Sequence, residues 1–262
     1  MLVNLKNLDR FRLHHLYGRL DRCLFLILLL GTGAWKLFSL QSENREDIHA
    51  APAVESCKTA DMPLAAQYAI SAAIGRDNSD YHAVNKDEGW SLSNPANRFR
   101  ADMQSNGVSV VVGRDDWTMC LECLESGETM VPIAHPRTQM RENRFEYDHG
   151  QISVWYVNGP LGLQQGFTLR QRPVTSGSQP DALTVALRLG GSLRAALNST
   201  SDGLSLLRQD GTAVLTYGGL AAYDANGRAL RVSLNVDTER GGQTLTIRVD
   251  DSRANYPLRR RA

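Results

Sequence analysis

The sequence predicts an all-β fold, either an antiparallel β-sandwich or two packed β lobes, with one short helix near its start. The composition, with 42% hydrophobic and 22% charged residues, is that of an ordinary folded protein. From about Gly107 onward, short alternating or β-branched runs follow one another almost to the C-terminus. These runs are separated by turn dipeptides, among them Asn158-Gly159 and Asp210-Gly211, which supply the positive φ values of tight hairpins.

The N-terminal part precedes this body as a basic region, residues 1–22, and an apolar segment, residues 23–40. A cationic flank before an unbroken apolar run is typical of an export signal or a membrane anchor. The run is 13 residues long and reaches 18 only if Lys36 snorkels, so a cleaved signal peptide and a retained anchor helix both stay open. In both cases we expect an extracytoplasmic body, membrane-anchored or secreted; the remaining alternative is a buried helix of a soluble protein.

Residues 41–62 are polar, contain Ala and Pro, and lack a hydrophobic period, which predicts a linker. The extracytoplasmic β-rich domain is therefore predicted over residues 63–262. Pro63 at the first turn and Gly75 just past the end indicate a short helix between them. Residues 174–181 form a predicted loop, and this loop is a candidate boundary between two lobes.

Twelve strands are predicted in the body, and their short, regular spacing is typical of a sandwich or of a pair of packed sheets. They cover residues 108–112, 117–121, 144–147, 152–157, 165–169, 182–189, 193–197, 204–207, 213–217, 220–223, 229–236 and 244–249.

The charge of the chain is almost balanced, with 29 Lys and Arg against 28 Asp and Glu. A net charge of +1 creates no field that would attract a polyanion to the whole molecule. We therefore expect no nucleic-acid partner.

The stretch Cys120-Leu121-Glu122-Cys123 is a C-x-x-C motif with three interpretations: unpaired thiols, a local disulfide in an oxidising compartment, or metal and redox chemistry. A zinc site needs two more ligands, and 13 residues separate the downstream candidates His135 and His149. Two alternatives therefore stay open: a disulfide between Cys120 and Cys123, or two unpaired thiols. Cys57, in the linker, could be free or could pair between chains.

Catalytic signatures are absent from the sequence: it contains no G-x-S-x-G, S-x-x-K or H-E-x-x-H motif. The acidic pairs Asp115-Asp116 and Asp250-Asp251 could serve acid–base chemistry or bind calcium. Both pairs lie at predicted strand ends, where Asp commonly stabilises turns, and we interpret them as structural. We predict no catalytic residue, no metal site and no cofactor.

The neighbouring aromatic residues Trp155 and Tyr156 are a candidate ligand face, because aromatic rings stack on sugar C–H surfaces. Alternation along the strand instead places Ile152, Val154 and Tyr156 on one face and Trp155 on the other. Apolar residues on both faces indicate a central strand, and we favour core packing for both rings.

Several stretches together resemble the N-terminal β-rich domain of bacterial exported FG-GAP repeat proteins, whose repeats form an integrin-α-like β-propeller. The most specific stretch runs from Trp155 to Leu169 and begins Trp155-Tyr156-Val157-Asn158-Gly159-Pro160-Leu161-Gly162. The others are residues 69–77, 81–83, 94–96, 106–108, 217–220, 222–228, 248–251 and 256–258. The resemblance covers about residues 66–258, departs from the pattern over 117–140, and lacks the repeats, as in a stand-alone or truncated version. It implies no catalytic residues.

The sequence thus favours a non-enzymatic extracytoplasmic β-domain of a cell-surface or secreted protein, a structural or adhesion-type module. Its expected partner is a cell-surface or extracellular polymer or protein, and the membrane itself if the N-terminal segment is retained. The alternative is a glycan- or ligand-binding module. A hydrolase that uses scattered carboxylates is the less favoured third hypothesis.

Overall fold

The computed structural model describes residues 2–7, 62–86, 89–127, 129–173, 182–239 and 242–258. The predicted membrane or signal segment at 23–40, the linker residues 41–61 and the loop 174–181 lie outside these ranges. Among the described residues, no helix has the length and apolarity needed to cross a membrane.

The described elements are one α-helix, one 3₁₀-helix and eighteen strands. In chain order they are β1 (Leu2–Asn7), α1 (Leu64–Asp77), the 3₁₀-helix (Ser79–Tyr81), β2 (Ala83–Lys86), β3 (Gly89–Asn94), β4 (Phe99–Met103), β5 (Gly107–Val112), β6 (Asp115–Ser126), β7 (Thr129–Val131), β8 (Arg137–Arg141), β9 (Arg144–Asp148), β10 (Ile152–Gly159), β11 (Gly162–Leu169), β12 (Leu183–Gly191), β13 (Arg194–Leu197), β14 (Gly203–Leu207), β15 (Ala213–Tyr223), β16 (Ala229–Leu230), β17 (Val232–Glu239) and β18 (Gly242–Val249).

The strands form two sheets in which every strand pair is antiparallel. Sheet A has the order β13-β14-β15-β1-β11-β10-β9-β8, with β16 beside β15. Sheet B has the order β17-β18-β12-β6-β5-β4-β3-β2, with β7 beside β6. The all-β prediction is confirmed, and the two sheets correspond to the sandwich. Since β12 pairs with β6, strands before and after the loop 174–181 share a sheet and do not form separate lobes.

The main hydrophobic core lies between the two sheets. Trp117 on sheet B meets Tyr217 on sheet A edge to face, with ring centroids 5.8 Å apart. From sheet A, the Tyr147 hydroxyl donates to the carbonyl oxygens of Gln104 (2.6 Å) and Gly107 (2.5 Å) in the β4–β5 hairpin. These contacts hold the inner faces together, and burial raises the pKa of the Tyr147 phenol well above its usual range.

Helix α1 covers the outer face of sheet A. Its buried residues Tyr68, Ser71 and Gly75 recur at helical spacing, and they face the hairpin formed by β10 and β11. The sequence predicts Gly75 beyond the helix end, but the helix continues to Asp77. Gly75 is required inside the helix because an added Cβ would collide with the Asn158 carbonyl oxygen.

Most predicted strands are confirmed, and the differences have local causes. The predicted strands 213–217 and 220–223 are one strand, β15, because Gly219, with φ of 77°, distorts the ladder without ending it. The predicted strand 229–236 is divided into β16 and β17. Strands β1 to β4, β7 and β8 were not predicted; each has six residues or fewer, too few for a clear alternating pattern.

Candidate functional site

The cysteines of the C-x-x-C motif both lie on β6, and both are free thiols in the structure. Cys120 pairs with Arg188 of β12, and Cys123 pairs with Ala186, because the register shifts by one residue between them. Residues three apart in a strand are about 10 Å apart, beyond the roughly 7 Å limit for a disulfide. The candidate disulfide is therefore corrected to two separate thiols; Cys23 and Cys57 lie outside the described residues.

The environment of these thiols keeps them protonated at neutral pH. Burial raises the pKa of Cys120. Burial, followed by the hydrogen bond to Glu125 and the charge of that carboxylate, raises the pKa of Cys123 to about 11. A thiol is a poor nucleophile and a poor metal ligand until it loses its proton. Within the described ranges, no group of three or more His, Cys, Asp or Glu side chains is placed to hold a metal ion.

The aromatic pair Trp155 and Tyr156 lies on β10, where all eight residues are buried. The two rings point to opposite faces of the sheet. Tyr156 faces the core, where its hydroxyl accepts a hydrogen bond from Gln165 (3.0 Å). Trp155 lies under helix α1 with Tyr68, and its indole N–H donates to Thr168 (3.3 Å). The rings therefore share no surface, and no solvent-facing sugar platform is available at this position.

Beside Trp155 and Tyr156, the turn of the β10–β11 hairpin is organised by the fully buried amide of Asn158. Its Nδ2 donates to the carbonyl oxygens of Tyr81 (3.0 Å) and Ser93 (2.6 Å). Its Oδ1 accepts from Asn94 Nδ2 (2.8 Å). Both polar atoms of the amide are thus satisfied, and their three hydrogen bonds join sheet A to the 3₁₀-helix and to β3 of sheet B.

A second set of amides ties helix α1 to the same hairpin. Asn143 Nδ2 donates to the carbonyl oxygens of Asn158 (2.7 Å) and Ala72 (3.0 Å). Gln164 Nε2 donates to the Tyr68 carbonyl oxygen (3.0 Å). Side-chain amides therefore bond helix carbonyl groups that face the sheet, and they fix the helix at one position on it.

The acidic pair Asp115-Asp116 holds strand ends together. Arg208 donates three hydrogen bonds of 2.6 to 3.1 Å to the Asp115 carboxylate, and these bonds lower the pKa of Asp115. Asp116 bonds the backbone of Ser192 (3.1 Å). Arg208 follows β14 of sheet A, so this ion pair links the ends of the two sheets.

The second acidic pair, Asp250-Asp251, shapes the turn after β18. Asp250 Oδ1 accepts from the Ser252 hydroxyl (2.7 Å). Asp251 accepts from the Tyr256 hydroxyl (2.6 Å) and lies 3.3 Å from the Arg172 guanidinium. Both pairs lie at strand ends, as the sequence predicts, and their described partners are those of turn and loop contacts.

An arginine cleft, lined by Arg228, Ala229, Leu230, Arg231, Asp250, Ser252 and Arg253, opens next to this turn and encloses about 450 Å³. Three arginines and one aspartate therefore line the cleft. Arg228 is engaged, since its Nη2 bonds the Arg253 carbonyl oxygen and its Nε lies 3.7 Å from Asp224. No hydrogen bond or ion pair joins the guanidinium of Arg231 or Arg253 to another described residue.

The charge in the arginine cleft is positive around neutral pH. The hydrogen bonds from Ser252, and then the charges of Arg231 and Arg228, hold the pKa of Asp250 below its usual range, so this carboxylate is ionised. Asp250 is the one acidic residue among those that line the cleft, against three arginines. Unpaired guanidinium groups bind carboxylates, sulfates and phosphates through paired N–H donors. The cleft is thus suited to an anionic group.

Sequence reasoning missed the arginine cleft. Arg228 and Arg231 flank the short strand β16, whereas Arg253 lies in the turn after β18. The only pattern in the sequence that points to these three arginines is a modest density of arginines between residues 228 and 253. The β17–β18 hairpin between them brings both ends together.

No protein-family model, curated protein or solved structure matches this chain. The resemblance to the domain that precedes FG-GAP repeats stays a prediction from the sequence motifs.

Proposed function

We propose that this chain is a non-enzymatic extracytoplasmic β-domain, a structural or adhesion-type module of a cell-surface or secreted protein. The supporting observation is the role of the motif that carries the family resemblance. Asn158, the fourth residue of that motif, uses its whole amide to connect both sheets and the 3₁₀-helix. A motif whose residues hold the fold together is expected in a structural module, which positions other parts of the protein for contact with a partner.

A framework of this kind suits a module that carries mechanical load or displays another part of the protein to a partner. The buried amides of Asn158 and Asn143 bond carbonyl groups of the helix, the 3₁₀-helix and both sheets, which favours one packing of these elements. The partner class remains a cell-surface or extracellular polymer or protein. Location follows from the N-terminal segment 23–40, through which the body would be secreted or held at the membrane.

Location is tested with the full chain carrying a C-terminal epitope tag in bacterial cells. Protease added to intact spheroplasts should remove the tag, because the body lies outside the inner membrane. The matched control is the Leu26→Arg/Leu28→Arg double variant, in which two charges interrupt the apolar run. The body of this variant should stay inside the cell, so its tag should be protected from the protease. A tag on the native sequence that is cleaved only after lysis would overturn the proposed location.

A second candidate function is binding of an anionic ligand at the arginine cleft. The sequence left a glycan- or ligand-binding module as the alternative function, and the cleft is the proposed binding site for it. The proposed ligand class is acidic polysaccharide, since an extracellular module would meet polysaccharides that carry carboxylate and sulfate groups. Binding should weaken with salt, because screening reduces the attraction between exposed charges.

The probe for this function is fluorescent dextran sulfate, with neutral dextran as the ligand control. We expect the Arg231→Ala/Arg253→Ala double variant to bind dextran sulfate at least tenfold more weakly than the native chain. The protein control is Arg137→Ala, which removes an exposed arginine far along the sequence from the cleft. Equal losses in both variants would show that binding depends on overall charge and not on the cleft.

A further inference from the structure

A second cleft, which we name the β3–β4 cleft, opens where strands β2 to β5 lie side by side in sheet B. It encloses about 440 Å³, a volume within the range of small-ligand sites. The polar residues of its lining are Lys86, Ser91, Arg100, Asp102, Gln104 and Ser109. None of these residues lines the arginine cleft, so the two clefts are separate.

The β3–β4 cleft lies on the outer face of sheet B. Ser91 pairs with Asp102, and Asp102 pairs with Ser109, so these three residues form one row across β3, β4 and β5. Their neighbours Leu92 and Ala101 are fully buried in the core between the sheets. Because successive side chains of a strand point to opposite faces, the row points away from the core.

The carboxylate of Asp102 is a fixed hydrogen-bond acceptor in this cleft. Its Oδ1 accepts from Ser91 Oγ (2.7 Å) and from Arg100 Nε (3.0 Å), and its Oδ2 accepts from Arg100 Nε (2.9 Å). A carboxylate offers about four lone pairs, so Oδ2 can accept from a further donor. The side chain of Asp102 is 34% exposed, so a ligand hydroxyl group can reach it.

Other polar groups of the cleft are available to a ligand. No hydrogen bond or ion pair joins the side chain of Lys86 or Gln104 to another described residue, and the Nη atoms of Arg100 have no described partner. The Gln104 amide can donate and accept, whereas Lys86 and Arg100 only donate. The β3–β4 cleft therefore combines donors and acceptors within one small volume.

The charge of the β3–β4 cleft is mixed, unlike that of the arginine cleft. The ion pair between Arg100 and Asp102 is neutral as a whole. Lys86 adds one positive charge, and the sequence continues from it with the acidic residues Asp87 and Glu88. A charged ligand of either sign would therefore meet groups of its own sign, and the cleft favours a ligand without net charge.

We propose that the β3–β4 cleft binds a neutral sugar unit of an oligosaccharide. A sugar hydroxyl group both donates and accepts hydrogen bonds, which matches a cleft that offers both kinds of partner. Trp90 and Met103 are the apolar residues of the lining, and apolar atoms beside polar ones suit the C–H groups between sugar hydroxyls. This site differs from the arginine cleft in its ligand, and it does not depend on the proposed export.

The first test uses the purified full chain and four fluorescent neutral tetrasaccharides: cellotetraose, maltotetraose, mannotetraose and chitotetraose. At least one should bind saturably to the native chain in fluorescence polarisation. Ser109→Tyr places a large ring in the cleft and should abolish this binding. The matched control, Ser233→Tyr on the edge strand β17, should bind as the native chain does. A folded native chain that binds none of the four overturns the proposal, and so do equal losses in the two variants.

The second test avoids a bulky substitution. Gln104→Ala removes a side chain that makes no described hydrogen bond, so the fold should be retained. Binding of the tetrasaccharide should weaken about fivefold, which corresponds to the loss of one neutral hydrogen bond. Gln139→Ala, on the exposed strand β8 of sheet A, is the control and should keep the native affinity. Equal affinities of the two Gln variants overturn the site, whether or not the Ser109→Tyr chain folds.

The ligands distinguish the two clefts. The Arg231→Ala/Arg253→Ala chain should bind the neutral tetrasaccharide as the native chain does, because neither residue lines the β3–β4 cleft. Loss of the neutral sugar in that variant would assign it to the arginine cleft and overturn this inference. A native chain that binds the tetrasaccharide but not dextran sulfate would overturn the anionic ligand alone and support the β3–β4 cleft.

Discussion

Asn158 on sheet A donates a hydrogen bond of 2.6 Å to the carbonyl oxygen of Ser93 on sheet B. The bond joins the end of β10 to the end of β3 at a fully buried position. A contact between two sheets through a side-chain amide, instead of through apolar packing, fixes their relative position as well as their separation.

Asn158→Ala should lower the free energy of unfolding by about 2–4 kcal/mol, because it leaves Asn94 and the carbonyl groups of Tyr81 and Ser93 buried without this partner. Urea unfolding followed by tryptophan fluorescence measures the change. The matched control is Asn226→Ala, in an exposed turn, which should stay within about 0.5 kcal/mol of the native chain. Equal effects of the two variants would contradict a structural role for the amide network.

Gly75→Ala should destabilise the protein by about 2 kcal/mol, although Ala normally favours a helix over Gly by about 1 kcal/mol. The reason is the close approach of helix and sheet, since the new methyl group would meet the Asn158 carbonyl oxygen and the Asn143 amide. The control is Ala69→Gly on the exposed side of the helix, which should cost about 1 kcal/mol from propensity alone. A more stable Gly75→Ala protein would mean that helix and sheet are farther apart.

Asp148→Asn should destabilise the protein at pH 7 by about 1 kcal/mol, and this difference should shrink as the pH falls from 4 to 2. Hydrogen bonds from Arg170 and Gly150 and the charges of Arg170 and Arg137 lower the pKa of Asp148 to about 2. A carboxyl group with a lowered folded pKa stabilises above its unfolded pKa, near 3.8, and loses that contribution as the pH falls through 2.

Urea unfolding of both proteins at pH 7, 4, 3 and 2 measures this dependence. Asp237→Asn, on the exposed strand β17, is the matched Asp-to-Asn control. A difference for Asp148→Asn that does not change with pH would show that Asp148 acts through packing and not through charge.

The thiols of Cys120 and Cys123 should react slowly with iodoacetamide at pH 7.5 and faster as the pH rises, because burial raises both pKa values. Mass spectrometry of tryptic peptides gives the labelled fraction at each site. After mild oxidation, the two residues should stay unlinked to each other. A Cys120–Cys123 disulfide in the folded protein would require a break in β6 and contradict the strand as described.

Local sequence patterns predict some features of the candidate site and not others. Alternation correctly placed Trp155 and Tyr156 on opposite faces of a central strand, because side-chain direction in a strand depends only on the residue's own position. The arginine cleft could not be found in that way. Arg228 and Arg253 meet through contacts between distant segments, among them the pairing of β17 with β18, and the motif-like Cys120 and Cys123 carry no joint site.

The sequence by itself determined the all-β class, the helix that follows Pro63 and most of the strands from Gly107 onward, because these depend on side-chain period and turn residues within a few positions. The tertiary structure alone decided that β1 lies between β11 and β15 in sheet A, that Gly75 stands inside the helix, and that Arg228, Arg231 and Arg253 line one cleft. These features arise from pairing and close approach between residues distant in the chain, and no local pattern encodes such contacts.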